Sequence, residues 1–297
     1  MTDLAFLGTG TMGLPMAQNL LWAGFTVHAW NRTLDRAQPL AEDDAELFED
    51  PRSAADGCPL MITMLSDADS VLEVAQAALS ASDPPDVWIQ MSTIGVEGAE
   101  RCAELADDRD VTYVDAPVLG TRTPAEQGNL VILASGPESA RPAVDPVFEA
   151  VGARTQWIGE AGAATAAKVA INSWVVGIVG VLAETITLCE RLGVDAQVFF
   201  DAIEGGPLDL PYARLKGPAM VRRAFDDVSF RLALSRKDAD LVLAAAAKGG
   251  LELPIMEGVA ARLRAAEAQG HGDKDMAATY LADPPTAPPN VKPAQAR

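Results

Sequence analysis

Short apolar runs recur through the first half of this chain: Leu4–Gly8, Thr26–Trp30, Leu60–Leu65, Val87–Met91, Val111–Val118 and Leu130–Ala134. Each has the length of one strand and reads as a strand buried on both faces. Between them, segments such as Met12–Ala23 and Asp69–Leu79 space their apolar residues as helices do. This β-α-β-α rhythm predicts an α/β fold, a doubly wound parallel sheet with helices on both faces. A last short strand is predicted at Arg154–Gly159, and after it the texture changes.

From Gly162 to Leu192 the chain has no proline and is rich in Ala, Val, Ile and Leu. A helix over those residues would be roughly 45 Å long at 1.5 Å per residue. Gly177 and Gly180 in its middle weaken it by up to about 1 kcal/mol each relative to Ala, unless close packing requires them. Apolar residues on most of its faces imply burial on more than one side, so it reads as the spine joining two domains and as a subunit interface. Further helices follow, with breaks near Gly205–Pro207, Gly249–Gly250 and Gly270–Gly272. The stretch Asp283–Arg297 holds several prolines and almost no apolar side chains, the composition of a disordered tail.

Composition narrows the class of partner. Forty-two acidic against 23 basic side chains give a formal net charge of −19. Such a field repels phosphate backbones and anionic membrane surfaces, so neither nucleic acid nor membrane is an expected partner. No run of 18 apolar residues suggests a membrane span. Three scattered cysteines and two histidines form no ligand pattern, so no disulfide framework and no metal site is expected. With no basic leader before the first strand, the expected location is cytoplasmic.

The chemistry begins at Gly8-Thr9-Gly10-Thr11-Met12-Gly13, which fits G-x-G-x-x-G, follows a predicted strand and opens a predicted helix. The first glycine allows the tight turn and the second lets the backbone approach a pyrophosphate. The third lets the helix pack on the sheet with its N-terminal amides facing the phosphates. An NAD-binding site would place an acidic residue at the end of the next strand, to grip the ribose 2′-hydroxyl. Here that strand ends in Trp30-Asn31-Arg32-Thr33. A neutral Asn31 followed by Arg32 and Thr33 offers donors and positive charge to a 2′-phosphate, so NADP(H) is the expected cofactor and NAD the less favoured one. The chain thus divides into an NADP-binding Rossmann domain, residues 1–161, a helical substrate and dimerisation domain, 162–282, and the tail, 283–297.

The opening segment Leu7–Leu20 resembles the signature of the β-hydroxyacid dehydrogenases, the group that includes 3-hydroxyisobutyrate dehydrogenase and the semialdehyde reductases. The resemblance runs over nearly the whole chain. Met64-Leu65-Ser66-Asp67 and Ser92-Thr93 match the family's loops beside the nicotinamide ribose, which implies cofactor contacts from Met64, Leu65 and Thr93. Asp115-Ala116-Pro117-Val118 matches the start of its substrate motif. Gly159-x-x-Gly162 with Lys168 and Asn172 matches its catalytic motif, and Lys237-Asp238 and Gly270–Asp275 match its C-terminal elements. By this resemblance Lys168 is the general acid/base, Asn172 binds substrate and orients Lys168, and Lys237 lies close to the cofactor with Asp238 in support. Asn172, four residues after Lys168, shares its helical face.

The family pattern breaks at its substrate motif. Asp-Ala-Pro-Val usually continues as Ser-Gly-Gly, whose side chain and amides hold a carboxylate, but here it continues Leu119-Gly120-Thr121-Arg122. Leucine cannot replace the lost hydroxyl. Backbone amides at 119–121, Thr121, or a bidentate Arg122 are the alternative anchors, unless Arg122 points to water. The catalytic motif departs too, with Ala164 in place of a glycine and Ile171 in place of an asparagine. The resemblance implies an NADP(H)-dependent oxidoreductase acting on a small 3-hydroxy acid or semialdehyde, working as a homodimer or dimer of dimers. Imine reduction on the same architecture is the alternative, although imine reductases typically carry Asp or Tyr where this chain has Lys168. A non-catalytic NADP-binding protein is a third reading.

Overall fold

The computed structural model describes residues 2–282, so the predicted tail Asp283–Arg297 lies outside the described residues. By its internal contacts the chain forms two compact units, one up to Ala170 and one from Ile171 onward.

The first unit is built from β1 (Asp3–Leu7), α1 (Gly13–Trp22), β2 (Thr26–Trp30), α2 (Gln38–Ala41), β3 (Glu46–Phe48) and α3 (Pro51–Ala55). It continues through β4 (Leu60–Thr63), α4 (Ala68–Ala78), β5 (Val87–Gln90), α5 (Gly95–Asp107) and β6 (Thr112–Asp115). The six strands form one parallel sheet in the order β3-β2-β1-β4-β5-β6. Side chains of a strand alternate between faces, and β1 shows it. Leu4 and Phe6 pack with Met16 and Leu20 of α1, while Ala5 and Leu7 pack with helices α3, α4 and α5 on the other face. The chain leaves β1 in one direction and returns beside it on the other with β4. The strand ends between β1 and β4 are therefore the switch point where such sheets bind nucleotides.

The expected single strand over Val111–Val118 is two. Proline has no amide hydrogen to give a ladder, and Ala116-Pro117 ends the parallel pairing after Asp115. The chain resumes as β7 (Val118–Leu119), followed by α6 (Arg122–Glu126), β8 (Leu130–Ala134), α7 (Arg141–Val151) and β9 (Gly152–Trp157). These strands make a second sheet, β7-β8-β9, with β7 antiparallel to β8 and β8 parallel to β9. The runs at Leu130–Ala134 and Arg154–Gly159 thus belong to a small mixed sheet, not to the parallel one. The edge strand β3 escaped the sequence pattern because it is only three residues long and partly exposed.

Helix α8 (Ala163–Leu192) is 30 residues long and continuous through the division between the units. The second unit adds α9 (Ala196–Ile203), α10 (Pro211–Arg222), α11 (Leu232–Lys248), α12 (Pro254–Ala266) and a terminal 3-10 turn at Met276–Ala282. Length and composition would let α8 cross a bilayer, its best window having a mean hydropathy of 1.8, although it contains no uninterrupted run of 18 apolar residues. Within this fold 44% of that window is buried. A buried ion pair ties the second unit together: Lys216 on α10 donates to both oxygens of Asp275 at 2.7 and 2.8 Å. Asp275 also accepts from the amides of Ser229, Phe230 and Ala277.

The two glycines inside α8 differ. A methyl at Gly180 would sit 2.9 Å from Cγ2 of Val259 on α12, whereas one at Gly177 would meet nothing within 4 Å. Gly177→Ala should therefore stabilise the chain by about 0.5–1 kcal/mol. Gly180→Ala should destabilise it, because overpacking costs about 1–3 kcal/mol. Urea unfolding midpoints of the two variants check this; a gain at both positions would mean that Gly180 is not held by packing.

Candidate active site

At the switch point, the turn after β1 is pressed against the end of β4. Gly8 has φ +112°, and a Cβ there would lie 2.4 Å from the Met64 carbonyl oxygen. A Cβ at Gly13 would lie 1.9 Å from the Gly8 carbonyl oxygen, so α1 starts directly beneath the turn. Around Gly10 nothing lies within 4 Å of a Cβ position, and Thr11 is exposed. The N-cap residue of α1, Met12, makes no side-chain cap. The two closely packed glycines and the open one between them form a cradle of the kind a pyrophosphate needs, and the buried Thr9 Oγ1 has no hydrogen-bond partner in it.

Asn31 ties this turn to the end of β2. Its Oδ1 accepts from the Thr9 amide at 3.1 Å and its Nδ2 donates to the Thr33 carbonyl at 2.8 Å. Much of the hydrogen-bonding capacity expected to serve a phosphate is thus spent on the loop. Arg32 and Thr33 are exposed, and so is Arg36 on the 3-10 turn Leu34–Arg36. Arg36 was not singled out from sequence; a second cation four residues after Arg32 was the available signal. Met64, Leu65 and Thr93 are partly buried in the loops after β4 and β5. Ser92 Oγ accepts from the Leu65 amide at 2.8 Å and joins those loops. On β2, His28 Nδ1 lies 3.2 Å from the Cys58 sulfur, whose thiol burial pushes up to about 12, so the pair is structural.

Lys168 is placed by the start of α8. A helix begins with amides that lack partners in its own backbone. Here the Thr165 amide donates to Asp115 Oδ2 at 2.8 Å, the Thr165 hydroxyl to Asp115 Oδ1 at 2.7 Å, and the Ala164 amide to Ser135 Oγ at 3.0 Å. Asp115 is fully buried. Burial pushes its carboxyl above the usual range, against the hydrogen bonds from Thr165 and Ser135 that pull it down. One turn along, the Lys168 ammonium donates to the Val118 carbonyl at 2.8 Å, and the residue is 9% exposed. A backbone carbonyl orients an ammonium without taking its proton, so the group is kept as a donor.

The segment after Val118 is Leu119, half-buried at the end of β7, then Gly120 with φ +140°, where a Cβ would meet Leu130 at 2.6 Å. Thr121 precedes α6 without a side-chain cap. Arg122 Nε lies 3.6 Å from Glu126 Oε1, with both side chains partly exposed.

The second unit holds a cluster of its own. Asn172 is buried and its Nδ2 donates to Asp238 Oδ2 at 2.9 Å. The other oxygen, Oδ1, is 3.1 Å from Lys237 Nζ. One carboxylate therefore gathers the two residues expected at substrate and cofactor. Trp174, two residues after Asn172, is exposed and lines a groove within the helical unit.

Comparison with known proteins identifies the family. Residues 3–159 match the family model for the NAD binding domain of 6-phosphogluconate dehydrogenase. Residues 162–282 match the model for the NAD-binding domain of NADP-dependent 3-hydroxyisobutyrate dehydrogenase. Glyoxylate/succinic semialdehyde reductase 1 of Arabidopsis thaliana is 30% identical over 94% of this chain and 98% of its own length. The structure of Mycobacterium tuberculosis 3-hydroxyisobutyrate dehydrogenase, solved with L-serine, superposes with a TM-score of 0.85 at 31% identity, covering 95% of this chain and 98% of that one. An imine reductase from Pseudomonas sp. shares the fold at a TM-score of 0.61 and 21% identity, covering 95% of this chain and 99% of its own. The chain belongs to the β-hydroxyacid dehydrogenase family of NAD(P)-dependent oxidoreductases.

Proposed function

We propose that the protein is an NADP(H)-dependent enzyme that interconverts a small 3-hydroxy acid and its semialdehyde, with Lys168 as general acid/base. The observation that carries this reading is the buried Lys168 ammonium, held on the Val118 carbonyl beside the segment Leu119–Arg122. Bound in the Gly8–Gly13 cradle, NADPH would supply the hydride. Lys168 then delivers a proton to the oxygen that becomes the hydroxyl, and its charge stabilises the alkoxide as it forms. In the oxidative direction the lysine takes the same proton back. Asn172 lies one helical turn further along α8 and hydrogen-bonds the substrate. L-serine, with which the mycobacterial relative was solved, is itself a 3-hydroxy acid.

Preference for NADPH rests on the exposed Arg32 and Arg36 and on the absence of an acidic residue at the end of β2. Carboxylate recognition falls to Arg122, Thr121 and the amides of 119–121. The ion pair of Arg122 with Glu126 is exposed and long, and such pairs contribute little, so a bidentate carboxylate competes with it readily.

A homodimer follows from the face of α8 that the fold leaves uncovered. Trp174, Val181 and Leu188 recur at intervals of seven on that face, with Leu192 one turn beyond, and all are more than half exposed. Together with Gly177, Phe199, Leu208 and Ile255, Trp174 and Val181 line an apolar groove of about 600 Å³. A heptad-spaced apolar stripe suits pairing with a second copy of the same helix.

Three measurements test this. NADPH oxidation at 340 nm across semialdehydes, keto acids and cyclic imines should show turnover of a carboxylated aldehyde. Lys168→Ala should lower that turnover by roughly 10²–10⁴-fold with NADPH affinity unchanged; turnover of imines alone would move the chain to imine reduction. Arg32→Ala and Arg36→Ala should each raise the NADPH KM about ten- to a hundredfold, the size of a charge-assisted hydrogen bond, and leave the NADH KM unaffected. Equal effects on the two cofactors would remove the basis for NADP preference. Val181→Glu should convert a dimer to a monomer in sedimentation; an unchanged sedimentation coefficient places the interface elsewhere.

A further inference from the structure

We propose that Asn19 is a positioning residue, which ties the substrate segment Leu119–Arg122 to the helix that starts beneath the cofactor turn. This rests on the reading above, in which that segment receives the substrate carboxylate. Asn19 lies within the Leu7–Leu20 signature but outside the G-x-G-x-x-G turn. Its Nδ2 donates to the Ala125 carbonyl of α6 at 2.7 Å and to the Pro15 carbonyl of its own helix at 2.9 Å. A side-chain amide nitrogen has two hydrogens, and both are spent on these carbonyls. The side chain is therefore a fixed strut between α1 and α6.

Helix α6 needs such a strut. It is five residues long, and so short a helix is not stable by itself, because nucleation is unfavourable. Thr121 gives it no side-chain cap, and its one buried residue, Ala125, holds the core with only a methyl group. The Gly128 amide reaches the same Ala125 oxygen at 3.3 Å, so the bond from Asn19 is the shorter. From Ala125 the constraint passes back along the turn. The Ala125 amide donates to the Thr121 carbonyl at 3.1 Å, and Arg122 opens the same turn. At the other end α1 cannot slide beneath the cofactor turn, where a Cβ at Gly13 would lie 1.9 Å from the Gly8 carbonyl oxygen. The diphosphate cradle and the carboxylate anchors are thus held in one frame, all within the sheet-bearing unit. A substrate anchored at a fixed offset from the cofactor reacts in one orientation, and a small misplacement there is costly.

The test compares wild type with Asn19→Leu, a near-isostere without donors, and with Asn19→Ser, whose hydroxyl still reaches the carbonyl four residues back but not Ala125. KM and kcat are read for the best carboxylated aldehyde and for its methyl ester, beside the NADPH Kd from a fluorescence titration and the thermal midpoint. Wild type should favour the acid over the ester. Both variants should raise the KM of the acid about three- to tenfold, the size of one hydrogen bond. The kcat for the acid, the KM of the ester and the NADPH Kd should stay unchanged, as for a loss confined to binding of the carboxylate. A merely structural asparagine would lower the thermal midpoint without moving the acid-to-ester ratio. A ratio preserved in both variants overturns the inference and leaves the catalytic reading standing. Equal losses for acid, ester and NADPH also overturn it, as general damage to the unit. If Asn19→Leu does not fold, Asn19→Ser decides alone. A wild type that does not distinguish acid from ester removes the carboxylate reading itself, and this inference with it.

Discussion

The placement of Lys168 at the start of α8 depends on one buried carboxylate. Asp115 sits at the end of β6, fully buried, and receives both the amide and the hydroxyl of Thr165 in the first turn of α8. Taking a carboxylate out of water is costly. Two short hydrogen bonds and the positive end of a 30-residue helix offset part of that cost. The pKa still lies above the usual range, so burial is not fully compensated. What the fold obtains is a fixed axial position and rotation for α8. With Thr165 pinned to Asp115, Lys168 comes round one turn later to meet Val118, three residues beyond Asp115. A four-residue segment thus caps the helix with its first residue and orients the lysine with its last.

That dependence explains why the Asp-Ala-Pro-Val motif was legible as a motif but not as a mechanism. Asp115 lies inside an apolar run, and nothing in the run announces that its partner is 50 residues away. Local cap signals are absent from the start of α8, since the residues before it are Gly162 and Ala161 with no Ser, Thr, Asp or Asn. Their absence was the one available sign that a distant group does the capping. Similarly, the split of Val111–Val118 into two strands follows from hydrogen-bond accounting at Pro117, which hydrophobic patterning does not record.

Other parts of the fold were plainly written. The central strands read as apolar runs because both sheet faces are covered, and the glycine turn read as a cradle because its spacing leaves only one glycine in open space. Helix α8 was legible to within a residue because a proline-free apolar stretch of that length has few alternatives. Less visible were roles that depend on pairing between elements. Asp238 is an ordinary member of a Lys-Asp pair until Asn172 is brought against its second oxygen. Asn31 was expected to face a phosphate and instead spends its amide on the loop, which leaves Arg32 and Arg36 as the exposed cations after β2.

The acidity of the chain gives those two arginines more weight than they would carry on a neutral protein. A formal charge of −19 repels a polyanionic cofactor at long range. Only charges within a Debye length, about 8 Å at physiological ionic strength, act strongly on the docked phosphate. Local cations at the end of β2 can therefore dominate binding while the global field opposes approach. The two effects respond oppositely to salt: screening weakens the arginine contacts but also lifts the long-range repulsion. Cofactor affinity in such a protein should depend on ionic strength less steeply than two arginine–phosphate contacts alone would require. Directional hydrogen bonds at a buried site, of the kind Lys168 and Asn172 provide, are the interactions least altered by that screening.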